Sequence, residues 1–242
     1  MRIARIAALV TLSFVTALPR VAGQNLSAPA APAATAKASA PIDITGYWVA
    51  FVTEDWRFRM ITPRKGDYQP VPMTPEARKV ADAWDPVADE ASGNQCKAYG
   101  AGAIMRLAAR FHITWQDDNT LRVESDAGMQ TRLLRFNTSP PSLGERTWQG
   151  YSTAQWERPA SLKVATTNLR SGYLRKNGVP YSENAVVTEY FDIAPIPGGG
   201  HVLLVTAIVD DPQYLLQPFT TSSQFKKEAD GSKWDPQPCT VK

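Results

Sequence analysis

The stretch that decides the fold is Ala185–Asp211, AVVTEYFDIAPIPGGGHVLLVTAIVDD. It reads as two long strands joined by Pro195-Ile196-Pro197-Gly198-Gly199-Gly200, whose glycines supply the positive φ angles that a chain reversal needs. The second strand, Val202–Val209, is apolar on both faces, as expected of a strand packed on both sides. The first alternates: Val187, Phe191 and Ile193 share one face by period-two geometry, and Glu189 falls among them. A carboxylate in that company marks either the rim of a surface or the inside of a pocket.

Working outward, the same short-strand grammar recurs. Phe111, Ile113 and Trp115 alternate with polar neighbours, Asp117-Asp118-Asn119 turns the chain, and Leu121 and Val123 return. Asp126-Ala127-Gly128 turns it again into Gln130–Phe136. Strands follow at Trp148–Glu157, Leu162–Leu169 and Phe219–Lys227, with a turn-rich loop at Arg170–Ser182. At the other end, Ile44–Ile61 reads as one long strand or a bent pair, with Trp56, Phe58 and Met60 on one face and Arg57 and Arg59 on the other. One helix is expected, with Thr74 as N-cap, Pro75 at its first position and Glu76 in its first turn, stopping before Pro86. Nine or ten strands without βαβ alternation predict an all-β fold: a single antiparallel barrel of eight to ten strands with one short helix, because closure removes exposed edges. A two-sheet β-sandwich is the alternative.

The N-terminus has the composition of an export signal over residues 1–23. Arg2 and Arg5 precede the apolar run Ile6–Leu18, and Val21-Ala22-Gly23 offers small residues for cleavage. That run is shorter than the roughly 20 residues a membrane span requires. Residues 24–41 are almost entirely Ala, Pro, Ser and Thr and predict a flexible tether, leaving 42–242 as the barrel domain. A periplasmic or secreted location follows, and with it a Cys96–Cys239 disulfide between the only two cysteines; two free thiols are the alternative. The formal charge of +3 is small and dispersed, with no run of five or more basic residues, which argues against nucleic acid as a partner.

Gly46-x-Trp48 at the start of the first strand, and Lys226-Lys227 ending the last, resemble the lipocalin (calycin) plan, and Thr188-Glu189-Tyr190 is similar to that family's Thr-Asp-Tyr motif. The resemblance implies a barrel whose floor is closed by the early Trp, with a basic side chain from near the C-terminus packed on it. The runs TGYWVAFVTEDWRFRM, LRKNGVPYSENAVVTEYF and DDPQYLLQPF resemble a family of exported bacterial proteins with no assigned activity. That second likeness covers most of the mature chain and implies little chemistry.

Two histidines, His112 and His201, without a second ligand at metal-binding spacing give no sign of a metal site. No Gly-x-Ser-x-Gly elbow is present, and Gly198–Gly200 lies between strands, not before a helix, so no nicotinamide, flavin or nucleotide cofactor is expected. What remains is Glu189, whose apolar neighbours would raise its pKa toward that of a general base. His112 or a tyrosine would act as the acid, and Arg57 or Arg59 as an anion clamp. Trp56, Tyr173, Tyr181 and Tyr190 suit an aromatic ligand. The plain alternative is a structural ion pair between Glu189 and Arg57, Arg59 or Arg132. The reading placed first is an exported barrel that binds a small apolar or aromatic molecule in an internal pocket. A cofactor-independent lyase or isomerase acting on an aromatic compound comes next. Third is an envelope interaction module that uses the tether and the 170–182 loop.

Overall fold

The computed structural model describes residues 34–141 and 144–241. The expected signal segment, and the tether up to residue 33, lie outside the described residues.

The hairpin is formed as read. Val186–Pro195 and His201–Asp210 pair antiparallel along their full lengths, with Glu189 opposite Ala207. In chain order the strands are β1 (Gly46–Phe51), β2 (Arg110–Asp117), β3 (Thr120–Ser125), β4 (Gln130–Phe136), β5 (Tyr151–Glu157), β6 (Ser161–Thr167), β7 (Gly172–Tyr173), β8 (Pro180–Tyr181), β9 (Val186–Pro195), β10 (His201–Asp210) and β11 (Phe219–Glu228). Nine of them close into a barrel in the order β1-β11-β10-β9-β6-β5-β4-β3-β2, and β7 and β8 form a separate ribbon. The sandwich alternative is thereby excluded, since β1 pairs with both β11 and β2.

Two details of the strands depart from the sequence reading. The barrel is not wholly antiparallel: β4 and β5 run parallel, with Leu134 opposite Ser152 and Phe136 opposite Ala154. Directions can alternate all the way round a ring only if the strand number is even, so nine strands leave one pair parallel. The connection 137–150 supplies the crossover of a dozen or so residues that such a pair requires. Second, the first strand ends at Phe51. Asp55 takes a left-handed conformation at φ 52°, and Trp56–Arg59 is a helical turn, α1, so Trp56, Phe58 and Met60 are not one face of a strand. The helix α2 (Pro75–Asp82) forms as expected, with Thr74 Oγ1 accepting from the Ala77 amide at 3.1 Å. Pro86, read as the stop signal, also opens a further short helix, α3 (Pro86–Ala91), capped by Asp85. Among the described residues no helix is long and apolar enough to cross a membrane.

The two ends of the barrel are closed differently. At the floor, Trp48 is fully buried, donates from Nε1 to the Ile44 carbonyl at 2.9 Å, and carries Lys227 Nζ 5.3 Å from its ring centroid. This is the arrangement that the lipocalin resemblance implies. The stretch from Thr35 onward, expected to be loose tether, is seated here instead. Ala36 is buried, its amide donates to Asn119 Oδ1, and its carbonyl accepts from Trp156 Nε1 at 2.8 Å. At the mouth, α2, the β7–β8 ribbon and the run Ala98–Arg106 fold over the opening. Every residue of that run is buried, and Ile104 and Met105 reach into the core of the barrel. The run threads past Tyr181 because Gly100 has no Cβ, which would lie 2.2 Å from the Tyr181 hydroxyl. The Cys96–Cys239 disulfide is formed and pins the C-terminal tail to the start of this plug.

Candidate functional site

Inside the wall, Glu189 is 0 % exposed and the Arg132 side chain 1 %. Arg132 grips both carboxylate oxygens, Nη1 to Oε1 at 3.0 Å and Nη2 to Oε2 at 2.5 Å, and Nη2 also reaches Thr166 Oγ1 at 3.3 Å. Thr166 and Ser152 then share a hydrogen bond of 2.8 Å. Glu189 has no surface that a water molecule could touch, and Arg132 has almost none. The hollow expected in front of Glu189 is therefore absent, filled by its own partner between Val187 on the mouth side and Phe191 on the floor side. Among the three arginines named as ion-pair candidates, Arg132 is the one that pairs.

The other sequence candidates are dispersed. His112 lies on the outer face of β2, stacked on Tyr47 with ring centroids 4.0 Å apart, and its Nδ1 is 3.6 Å from Glu124 Oε2. It thus stands on the opposite side of the wall from Glu189, and one substrate cannot touch both. Tyr190 faces outward on β9 beside Lys163. Tyr173 donates to Asp89 Oδ2 at 2.7 Å, and burial together with that carboxylate raises its pKa. Tyr181 is sealed in the mouth, its hydroxyl has no partner among the described residues, and burial raises its pKa too. Trp56 is 65 % exposed, and Arg57 pairs with Asp67 at the surface.

Arg59 is the candidate that lines a cavity of ligand size, the space beside Tyr173 being only about 10 Å³. A cleft of about 300 Å³ opens between α1 and the plug, with Phe58, Met60, Tyr99, Leu107 and Leu174 as its apolar lining. Three largely buried arginines also line it: Arg59, Arg106 and Arg175. Most of the guanidinium charge here is matched one to one. Arg59 Nη1 meets Glu54 Oε1 at 3.0 Å, Arg106 Nη2 meets Asp55 Oδ2 at 3.1 Å, and Arg57 has Asp67. Arg175 differs. It is 3 % exposed, and among the described residues no carboxylate lies within ion-pair distance of it; Nη1 donates to the Gln69 carbonyl at 2.6 Å. Its guanidinium stacks on Phe58, 3.9 Å from the ring centroid. Burial, reinforced by the nearby charge of Arg106, pushes the Arg175 pKa down to about 10. Arg59 is lowered by burial as well, with Glu54 opposing the shift and Arg106 adding to it.

Arg106 and Arg175 were not among the residues singled out from the sequence. They come from the plug and from the β7–β8 loop, and no spacing in the chain links them to Arg59. The chain matches no protein-family model and no curated protein sequence.

Proposed function

We propose that this chain is an exported carrier of a small apolar or aromatic molecule, which it holds in the arginine-lined cleft at the barrel mouth and not in the lumen. The observation that carries this reading is the cleft itself: about 300 Å³ of space walled by aromatic and aliphatic side chains, with a few convergent polar groups. That combination is the usual make-up of a small-molecule site. Export is supported by the basic and apolar N-terminal sequence, and the disulfide fits an oxidising compartment. The acid–base reading draws no support from the geometry, because Glu189 is sealed by Arg132 and separated from His112 by the wall. Native mass spectrometry of the protein recovered from its export compartment tests the proposal. A small-molecule adduct is expected on the wild type and not on Leu107→Trp, whose larger side chain fills the cleft. An adduct of equal abundance on both proteins, or none on the wild type, would overturn it.

A further inference from the structure

The unmatched arginine says more about the occupant. Within the Arg175 guanidinium, Nη1 is the atom bonded to Gln69, while Nε and Nη2, both sealed from water, have no hydrogen-bond partner among the described residues. Those two nitrogens are not a random pair. They share one edge of the planar group, and their N–H bonds run parallel, forming a fork that matches the two oxygens of a carboxylate. Arg59 Nη2, a second arginine nitrogen of this cleft, is likewise buried and unpartnered. A charged group left buried without a counter-ion is costly, and a fold keeps it where something else completes it.

We infer that the ligand is a monocarboxylic acid with a flat apolar or aromatic body, its carboxylate taken by the Nε/Nη2 edge of Arg175 once that edge, sealed from water in this structure, turns toward the cleft. This rests on the reading of the cleft as the ligand site. The charge pattern sets the class. Arg57, Arg59 and Arg106 already have Asp67, Glu54 and Asp55, so one negative charge balances the one guanidinium that lacks a partner. The lining sets the body. Phe58 stacks on Arg175 and also borders the cleft, so a ring entering there meets an aromatic face beside the fork. A bare inorganic anion would satisfy the fork and leave the apolar walls unused.

The test is a matched pair of probes, 2-naphthoate and 2-naphthamide, titrated calorimetrically into the purified chain, with inorganic phosphate as a third probe. The two naphthyl compounds share a body and differ in charge. The acid is expected to bind about 10- to 100-fold more tightly than the amide, the range for charge-assisted hydrogen bonds. In Arg175→Met that ratio falls to near one. In Arg175→Lys, which keeps the charge and loses the fork, it lies between. The melting temperature of Arg175→Met without ligand stays at or above that of the wild type, separating lost recognition from a lost fold. Equal binding of acid and amide by the wild type would overturn the carboxylate assignment and leave the cleft reading standing. So would a preference for acid that survives in Arg175→Met, or phosphate binding as tightly as naphthoate. If neither naphthyl compound binds, the cleft is not a site for flat aromatic molecules and both readings fall.

Discussion

The molecule buries arginine in two places and treats it in two ways. In the lumen, Arg132 meets Glu189 through both nitrogens of its terminal fork, takes Thr166 as a third partner, and has almost no access to solvent. At the mouth, Arg175 is almost as deeply buried yet holds one backbone carbonyl and an aromatic face. Both sites are sealed from water, and each leaves guanidinium nitrogen without a hydrogen bond among the described residues, Nε in Arg132 and Nε with Nη2 in Arg175. What differs is charge: the first is matched by a carboxylate and the second is not. A buried charge whose partner is supplied by the chain is part of the scaffold; one whose partner is not supplied marks a place where the outside enters. Burial alone does not separate the two cases, whereas counting counter-charges does.

That contrast can be broken by removing one side of each site. Glu189→Ala leaves Arg132 buried and uncompensated, and urea denaturation should show a loss of about 3–5 kcal/mol. Little or no loss would mean that the lumen tolerates an unmatched guanidinium, and the contrast would collapse. Cys239→Ser releases the tail from the plug that walls the cleft and should cost about 2–4 kcal/mol. Hydrogen exchange should then rise in Ala98–Arg106 while β9 around Glu189 stays protected. Arg175→Met should move stability in the opposite direction to Glu189→Ala, from neutral to a gain of about 1–4 kcal/mol, because an apolar side chain replaces an unpaired charge. Tyr181→Phe removes a hydroxyl that has no partner, so denaturation should register a change of less than about 1 kcal/mol, toward greater stability.

The smallest effect is one of pH. Burial holds the Arg175 pKa down at about 10 in the folded chain, below the ordinary arginine value that the unfolded chain keeps. Between those values the unfolded chain holds the extra proton, so this group's burden on stability is fully present below about 10 and lifts as pH climbs toward the upper value. The stability gap between Arg175→Met and the wild type should narrow over that window. A gap that widens there would reverse the sign assigned to Arg175.

Much of the scaffold was legible because its signals are local. Period-two alternation around Glu189, the triple glycine, Gly46-x-Trp48 and the Thr74-Pro75-Glu76 cap each act within a few residues, and each produced the expected element. The cysteine pair was legible through its compartment. Trp56–Met60 misled because apolar residues at alternate positions also fit a tight turn, and the left-handed Asp55 that ends the extended run has no distinctive sequence mark. The parallel β4–β5 pair follows from a global count that no single strand reveals. The cleft was hidden for a related reason. Arg59, Arg106 and Arg175 meet only when the barrel closes and the plug and ribbon fold across its mouth. Glu189 stood out in the sequence because it interrupts an apolar face, and the partner that neutralises it lies 57 residues away on another strand.

The docking of Ala36 beneath the floor gives the molecule a polarity with practical use. Ala36 rests against Asn119 and Trp156 at one end of the strands, while the cleft opens at the other, on the order of 25 Å away for strands of this length. A sensor chip or fluorophore coupled through a cysteine substituted for Ala34 would therefore sit behind the barrel and leave the arginine cleft facing free solution, whereas one coupled at position 176 would stand at its entrance.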